Sequence, residues 1–168
     1  MALRTILTKE EPRLRKHSRP ITEFGQKTSD LMDDLRDTLA TQEGVGLAAP
    51  QVGILRRAVV VIETNVPEGE NEYMIELINP EIIESSGTQT GPEGCLSVPK
   101  EFGIVTRPDY VKVRAQDREG NFFEVEGTGL TARCFCHEID HLEGVLFTDI
   151  AERMLDPEEY QGRGEEED

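Results

Sequence analysis

His137-Glu138-Ile139-Asp140-His141 is the stretch that most restricts what this chain can become. At about 3.6 residues per turn, positions i and i+4 of a helix lie on one face with Cβ atoms roughly 5–6 Å apart, so two imidazoles can converge on one ion. Glu138 sits one position round from His137, near enough to meet a water on that ion without being a ligand. A divalent ion in such a site acidifies the water and polarises a carbonyl, while the carboxylate carries a proton from nucleophile to leaving group. The pentapeptide therefore asks for a helix facing a third donor, and Cys95 can supply one. Taken alone, it also fits an amphipathic helix whose histidines are ordinary polar residues, so context has to decide.

At 168 residues the chain suits one domain with a real core that needs no disulfides. The formal net charge is −16, and such an acidic protein lacks the electrostatic footprint of a nucleic-acid or anionic-membrane binder. Residues 158–168 hold much of that excess and read as an acidic, solvated, disordered tail beyond a catalytic domain over 1–157. Three cysteines at irregular spacing, with no apolar leader after Met1, argue for a reducing compartment. No run is long enough to span a bilayer.

The periodicity predicts a helix over Ile21–Leu39, with Phe24, Leu31, Leu35 and Leu39 inward and Asp33, Asp34 and Asp37 outward. Ala58–Ile62 is a β-branched run expected of a buried strand. Tyr73–Ile78 and Glu81–Ser85 read as two strands on either side of an Asn79-Pro80 turn. Tyr110–Ala115 and Phe122–Glu126 read as a hairpin around Asp117–Gly120. The last helix begins near Thr128 or Leu130 and stops near Gly144, a natural residue just past a helix end. The fold class is α+β: mixed and antiparallel strands packed around a central C-terminal helix that carries the His-Glu-x-x-His motif.

Two further segments hold features that folding alone does not require. Gly44-Val45-Gly46-Leu47-Ala48-Ala49-Pro50-Gln51 sets glycines and small residues before a side-chain amide, and Glu93-Gly94-Cys95-Leu96-Ser97 sets a thiol after a glycine. Each alone fits a glycine-rich turn or a buried cysteine. Together with the pentapeptide they make a site: a soft thiolate, two imidazoles, an open position and an amide donor for an oxyanion. A thiolate binds a zinc-like ion at about 2.3 Å and makes it a softer centre than a third imidazole would.

These three segments, in this order, resemble the peptide deformylases, whose motifs have the form G-φ-G-φ-A-A-x-Q, E-G-C-φ-S and H-E-x-D-H. The likeness continues through Ile78-Asn79-Pro80, Arg107-Pro108, the hairpin and His141-Leu142-x-Gly144, covering roughly Ile6 to Ile150. It implies removal of the formyl group from the N-terminal formylmethionine of nascent polypeptides, with release of formate. By position it makes Cys95, His137 and His141 the metal ligands and Glu138 the acid/base. Gln51, through its side chain, and Leu96, through its backbone N–H, become the oxyanion donors. The substrate methionine would lie near Val45, Gly46, Leu130, Cys134 and the His137 ring, with the glycine-flanked backbone open to an added peptide strand. Family members typically use ferrous iron, with Zn2+, Ni2+ or Co2+ able to occupy the site. The resemblance also implies a monomer in a bacterial-type cytoplasm, or an organelle, that meets nascent peptides and transiently the ribosome.

The chain departs from the family pattern at Cys136, where Gln most often precedes the first histidine. A side-chain amide that could fix neighbouring groups is replaced by a weak donor and an oxidisable sulfur. The chain also ends in acidic residues where some relatives carry a basic ribosome-docking extension. Two competing functions share part of the pattern. A peptidase of internal bonds would share His137, Glu138 and His141 but normally takes a carboxylate or third histidine as the last ligand. A non-catalytic metal-binding module would need neither Glu138 nor Gln51.

Overall fold

The computed structural model describes residues 3–159. A five-stranded antiparallel sheet in the order β1-β2-β3-β6-β7 is built from Gly46–Ala48 (β1), Ala58–Glu63 (β2), Tyr73–Ser86 (β3), Tyr110–Gln116 (β6) and Phe122–Thr128 (β7). A second sheet pairs Gln89–Cys95 (β4), Val98–Arg107 (β5) and Arg153–Met154 (β8) in the order β4-β5-β8. Helices α1, α2 and α3 span Gln26–Ala40, Leu130–Leu142 and Phe147–Ile150.

Strand β2 shows why the helices lie where they do. Its side chains alternate between faces, so Val59 and Val61 join Phe135, Cys134 and Leu142 of α2 in one core. Ala58 and Val60 join Leu31, Leu35 and Leu39 of α1 in another. The large sheet is thus covered by a helix on each face, and α2 is central. A third cluster of Val98, Val105, Leu146 and Phe147 joins the small sheet to α3.

Helix α2 has glycine at both boundaries. Gly129, with φ 57° and ψ −126°, precedes Leu130 in a conformation that disfavours any side chain. At the other end Gly144 has φ 76°; its N–H donates to His141 O and the Val145 N–H donates to Asp140 O, each at 3.0–3.1 Å. That pair of bonds satisfies the last carbonyls as a Schellman motif does, and the expected stop at Gly144 is observed. Gly144 also sits against the Arg15 backbone, leaving no room for a Cβ.

Three expectations need correction. Residues 21–25 are not helical; α1 begins at Gln26. Asn79 is the cause: its side-chain oxygen accepts from the Ile21 N–H and its amide donates to Ile21 O, both at 2.8 Å, holding that segment extended. Asn79-Pro80 is accordingly no turn between strands. It is an irregularity inside one continuous β3, with Asn79 at φ 51° and the pairing to β6 shifted between Ile78 and Glu81. Asp34 does not face outward either: it is buried and ion-paired to Arg4 at 2.8 Å. The hairpin and the Ala58–Ile62 strand form as expected. Most of the tail at 158–168 lies outside the described residues.

Candidate active site

Helix α2 delivers three of the candidate side chains. His137, Glu138 and His141 are all buried, and the two imidazoles meet edge-on with Nε2 atoms 3.2 Å apart. The fourth comes from the end of β4, where the register with β5 shifts between Glu93 and Cys95 before the tight Cys95–Val98 turn. Such a bulge re-aims side chains, and Cys95 Sγ lies 3.3 Å from His141 Nε2. The three donor atoms of Cys95, His137 and His141 fall within 4.8 Å of one another.

The orientation of His137 has a cause that the sequence reading missed. Glu93, buried at the edge of β4, accepts from His137 Nδ1 at 2.6 Å. It also accepts two bonds from Arg107, at 3.2 and 2.7 Å, and one from Arg133 at 2.8 Å. Arg107 donates onward to Asp140 at 2.6 Å. Burial alone would raise the Glu93 pKa, but His137 and Arg107 hold it well below the usual carboxylate range. With its Nδ1 proton given to Glu93, His137 turns its other nitrogen into the site, as a carboxylate–histidine–metal arrangement requires. The signal was present, since Glu93 belongs to the same five-residue motif as Cys95 and Arg107 was among the matching positions.

Cys136, the departure from the family pattern, packs into the core beneath α2. Burial pushes its thiol up to about 11, and Arg107 only partly offsets this. The support for His137 thus comes from Glu93 and its arginines, and the Cys136 sulfur is kept from solvent as a neutral thiol. Cys134 is likewise buried, with its pKa raised by that burial and by Glu138.

Gln51 stands in the short 3-10 turn Ala49–Val52 that follows β1. Its side-chain oxygen accepts from the Ala48 N–H at 2.9 Å, which fixes the amide the other way round. The nitrogen points at Ser97 Oγ, 3.1 Å away, and Cys95 Sγ, 3.6 Å away. Ser97 is a second residue missed by the sequence reading, and it holds Gln51 against the Cys95 turn. Leu96 lies in that turn with its side chain over Gly44, where a Cβ would come within 3.1–3.2 Å.

Gly46 is buried rather than exposed, and it adjoins Glu138: a Cβ there would come within 2.5 Å of Oε2. Glycine thus lets the acid lie against the edge of β1. Oε1 of Glu138 is buried without a hydrogen-bond partner. Burial pushes the Glu138 pKa up to about 7, against the pull of His137. Val45 is half-buried and packs on the same core as Cys134. Leu130, one turn before Cys134, is 48% exposed and so is not core.

Charge and donor chemistry fit a cation. Despite burial, which opposes it, Glu138, Cys95 and Glu93 hold the His137 pKa well above that of an ordinary imidazole, while burial and His137 hold that of His141 well below. One sulfur and two imidazole nitrogens converge there beside two buried carboxylates, a donor set whose softness suits a divalent transition ion.

The sequence profile of the polypeptide deformylase family matches residues 3–156. The chain belongs to the peptide deformylase family. It is 53% identical to the peptide deformylase of Caldanaerobacter subterraneus subsp. tengcongensis, over 96% of this chain and 98% of that one. Peptide deformylase 1 of Bacillus subtilis is 50% identical over 88% and 89%. The crystal structure of a peptide deformylase from Legionella pneumophila superposes with a TM-score of 0.81 at 42% identity, covering 93% of this chain and 88% of that one. One from Acinetobacter baumannii, solved with Met-Ala-Ser bound, gives 0.80 at 34%, covering 88% and 98%. As a peptide deformylase the protein is a metal-dependent hydrolase that removes the N-terminal formyl group from nascent polypeptides.

Proposed function

We propose that Cys95, His137 and His141 hold the metal, ferrous iron in the cell, and that Glu138, Gln51 and Leu96 carry out deformylation beside it. The observation that carries this reading is the convergence of the three donors within 4.8 Å of one another. The unpartnered Glu138 carboxylate oxygen lies on the same helix. Bound there, the ion supplies Lewis acidity and an activated water. Glu138 removes a proton from the nucleophile and returns it to the departing amine. Its buried setting, which lifts the pKa to about 7, suits a group that must both take and give.

Gln51 presents its amide nitrogen, already oriented by Ala48 and Ser97, to the oxygen that becomes negative. The Leu96 N–H donates from the Cys95 turn. Such a donor is commonly worth about 2.7–4 kcal/mol of barrier. An extended peptide adds along β1, the edge strand of its sheet, so main-chain bonds give affinity that ignores most side chains. Val45, Gly46, Leu130 and Cys134 receive the methionine, whose flexible thioether suits small apolar walls. The Met-Ala-Ser bound to the Acinetobacter baumannii relative supports this placement.

Zn2+, Ni2+ or Co2+ would occupy the same donors in a purified sample. The protein acts as a monomer in a cytoplasmic setting on N-formylmethionyl nascent peptides, with transient ribosome contact at most. Residues 1–157 act as a single catalytic domain ahead of the acidic tail. Among the described residues, no helix is long and apolar enough to cross a membrane.

The test is formate release from formyl-Met-Ala-Ser by protein purified anaerobically with ferrous iron. Turnover that vanishes in Glu138→Ala with metal retained supports the assignments. Cleavage of an unblocked internal bond without formate, or full activity in Glu138→Ala, rejects them.

A further inference from the structure

The chain carries 34 acidic and 18 basic residues, so a cation has many carboxylates to find. Among the described residues most do pair. Arg19, Lys27 and Arg56, together with Lys16, Lys100 and Arg114, do not, and of these only Arg19, Lys27 and Arg56 line one groove of about 980 Å³ between the start of α1 and the Gly53–Arg56 segment. Arg4 also reaches this groove but is tied to Asp34 at 2.8 Å. Glu23 is the one carboxylate on its lining.

The backbone sets two of these residues side by side. Arg19 and Arg56 form a parallel bridge, with the Arg19 N–H donating to Leu55 O and the Arg57 N–H to Arg19 O, both at 3.0 Å. Like charges set opposite one another on paired segments repel. Among the described residues neither guanidinium has an ion pair, with Glu23 alone sharing the groove. An external anion would relieve the repulsion.

We propose that this groove binds a compact multivalent oxyanion of the phosphate class through Arg19, Lys27 and Arg56. The net charge of −16 decides between a compact and a polymeric ligand. A nucleic-acid strand would extend beyond the groove into the field of the surrounding carboxylates. A small anion is screened from charges further than about 8 Å at physiological ionic strength and meets chiefly the groove's own cations.

The test titrates inorganic phosphate into the nickel-loaded, isotope-labelled full chain at constant ionic strength, following backbone amide shifts. Saturable shifts at Arg19, Lys27 and Arg56 are expected. They should weaken about tenfold or more in Arg19→Gln/Arg56→Gln, as befits the loss of two charge-assisted contacts. Arg19→Lys/Arg56→Lys should recover most of the binding, and Lys100→Gln, which removes an exposed cation outside the groove, should leave it intact. Formate release in all variants should stay at the parent level, showing that each is folded. Shifts that never saturate, or that survive in the double Gln variant, overturn the proposal. So does an RNA oligonucleotide that binds the groove more tightly than phosphate.

Discussion

Replacing Gly46 by alanine should disable the enzyme, although six strands separate it in sequence from the helix it disturbs. The new Cβ would stand 2.5 Å from Glu138 Oε2 and 2.9 Å from its Cγ and Cδ. Carbon contacts are comfortable at about 3.5 Å, so roughly 1 Å must be found. Neither side yields freely, since β1 is paired to β2 through Gly46 opposite Val61 and Glu138 is buried on α2. Overpacking of this kind costs about 1–3 kcal/mol of stability. A 1 Å misplacement of a catalytic group costs about 10²-fold in rate, or about 2.7 kcal/mol of barrier. The assay is kcat and KM for formyl-Met-Ala-Ser, together with metal content and a urea melt. The expected result is a fall of about 10²-fold in kcat with metal retained. A change in KM alone would place the damage in peptide docking along β1 instead. The decisive control is a double-mutant cycle with Glu138→Asp, whose shorter side chain vacates the contested space, so that adding Gly46→Ala to it should cost little more. A Gly46→Ala enzyme with kcat within about twofold of the parent refutes the reasoning.

Other perturbations test the rest of the site. Glu93→Gln removes the buried negative charge that His137, Arg107 and Arg133 share and leaves one acceptor oxygen for three donors. Metal affinity should fall about 10–100-fold and stability by about 3–5 kcal/mol, measured by competitive chelation and urea melts; unaltered affinity would contradict the orienting role. Gln51→Ala should cost about 10²–10³ in kcat with little change in metal content, since its nitrogen stands 3.6 Å from Cys95 Sγ beside the three candidate ligands without being one of them; a ligand-like loss of metal would count against it. Cys134 and Cys136 should resist a thiol reagent in the native metal-loaded protein and react only on unfolding, because both are buried. Rapid labelling of either in the folded state would show that the core beneath α2 opens.

The parts of the site legible in the sequence were those whose geometry is local. His137, Glu138 and His141 are placed by helical spacing alone, and Gly144 marks the end of their helix. Glu93 belongs to a motif whose spacing shows no role for it, because its partners Arg107 and Arg133 lie 14 and 40 residues away and only the fold joins them. The same distance effect explains the misplaced start of α1. Ile21 and Phe24 continue the helical pattern, but Asn79, 58 residues on, captures the Ile21 backbone with two bonds and holds it extended. Asp34 looked like a solvent-facing acid until Arg4, 30 residues earlier, covered it. The segment ending in Cys95 fits a glycine-rich turn because Gly91, Pro92 and Gly94 obscure the alternation of β4, and its bulge breaks the register at the position that has to turn toward α2.

The packing of Arg15 against Gly144 belongs to a longer strap. The Ser18 N–H donates to Leu142 O at 2.8 Å, Arg57 donates to the same oxygen, and Arg15 pairs with Asp149 across 134 residues of sequence. A closure over so long a stretch of chain is entropically expensive and forms late. The strap is also largely solvent-exposed, so it belongs to the part of a native structure that opens most readily. Its release would loosen the final turn of α2, where His141 sits, while leaving the five-stranded sheet intact. The strap thus holds the end of the helix that carries two of the candidate ligands from outside the five-stranded sheet, so hydrogen exchange should reach the amides around His141 before those of the sheet.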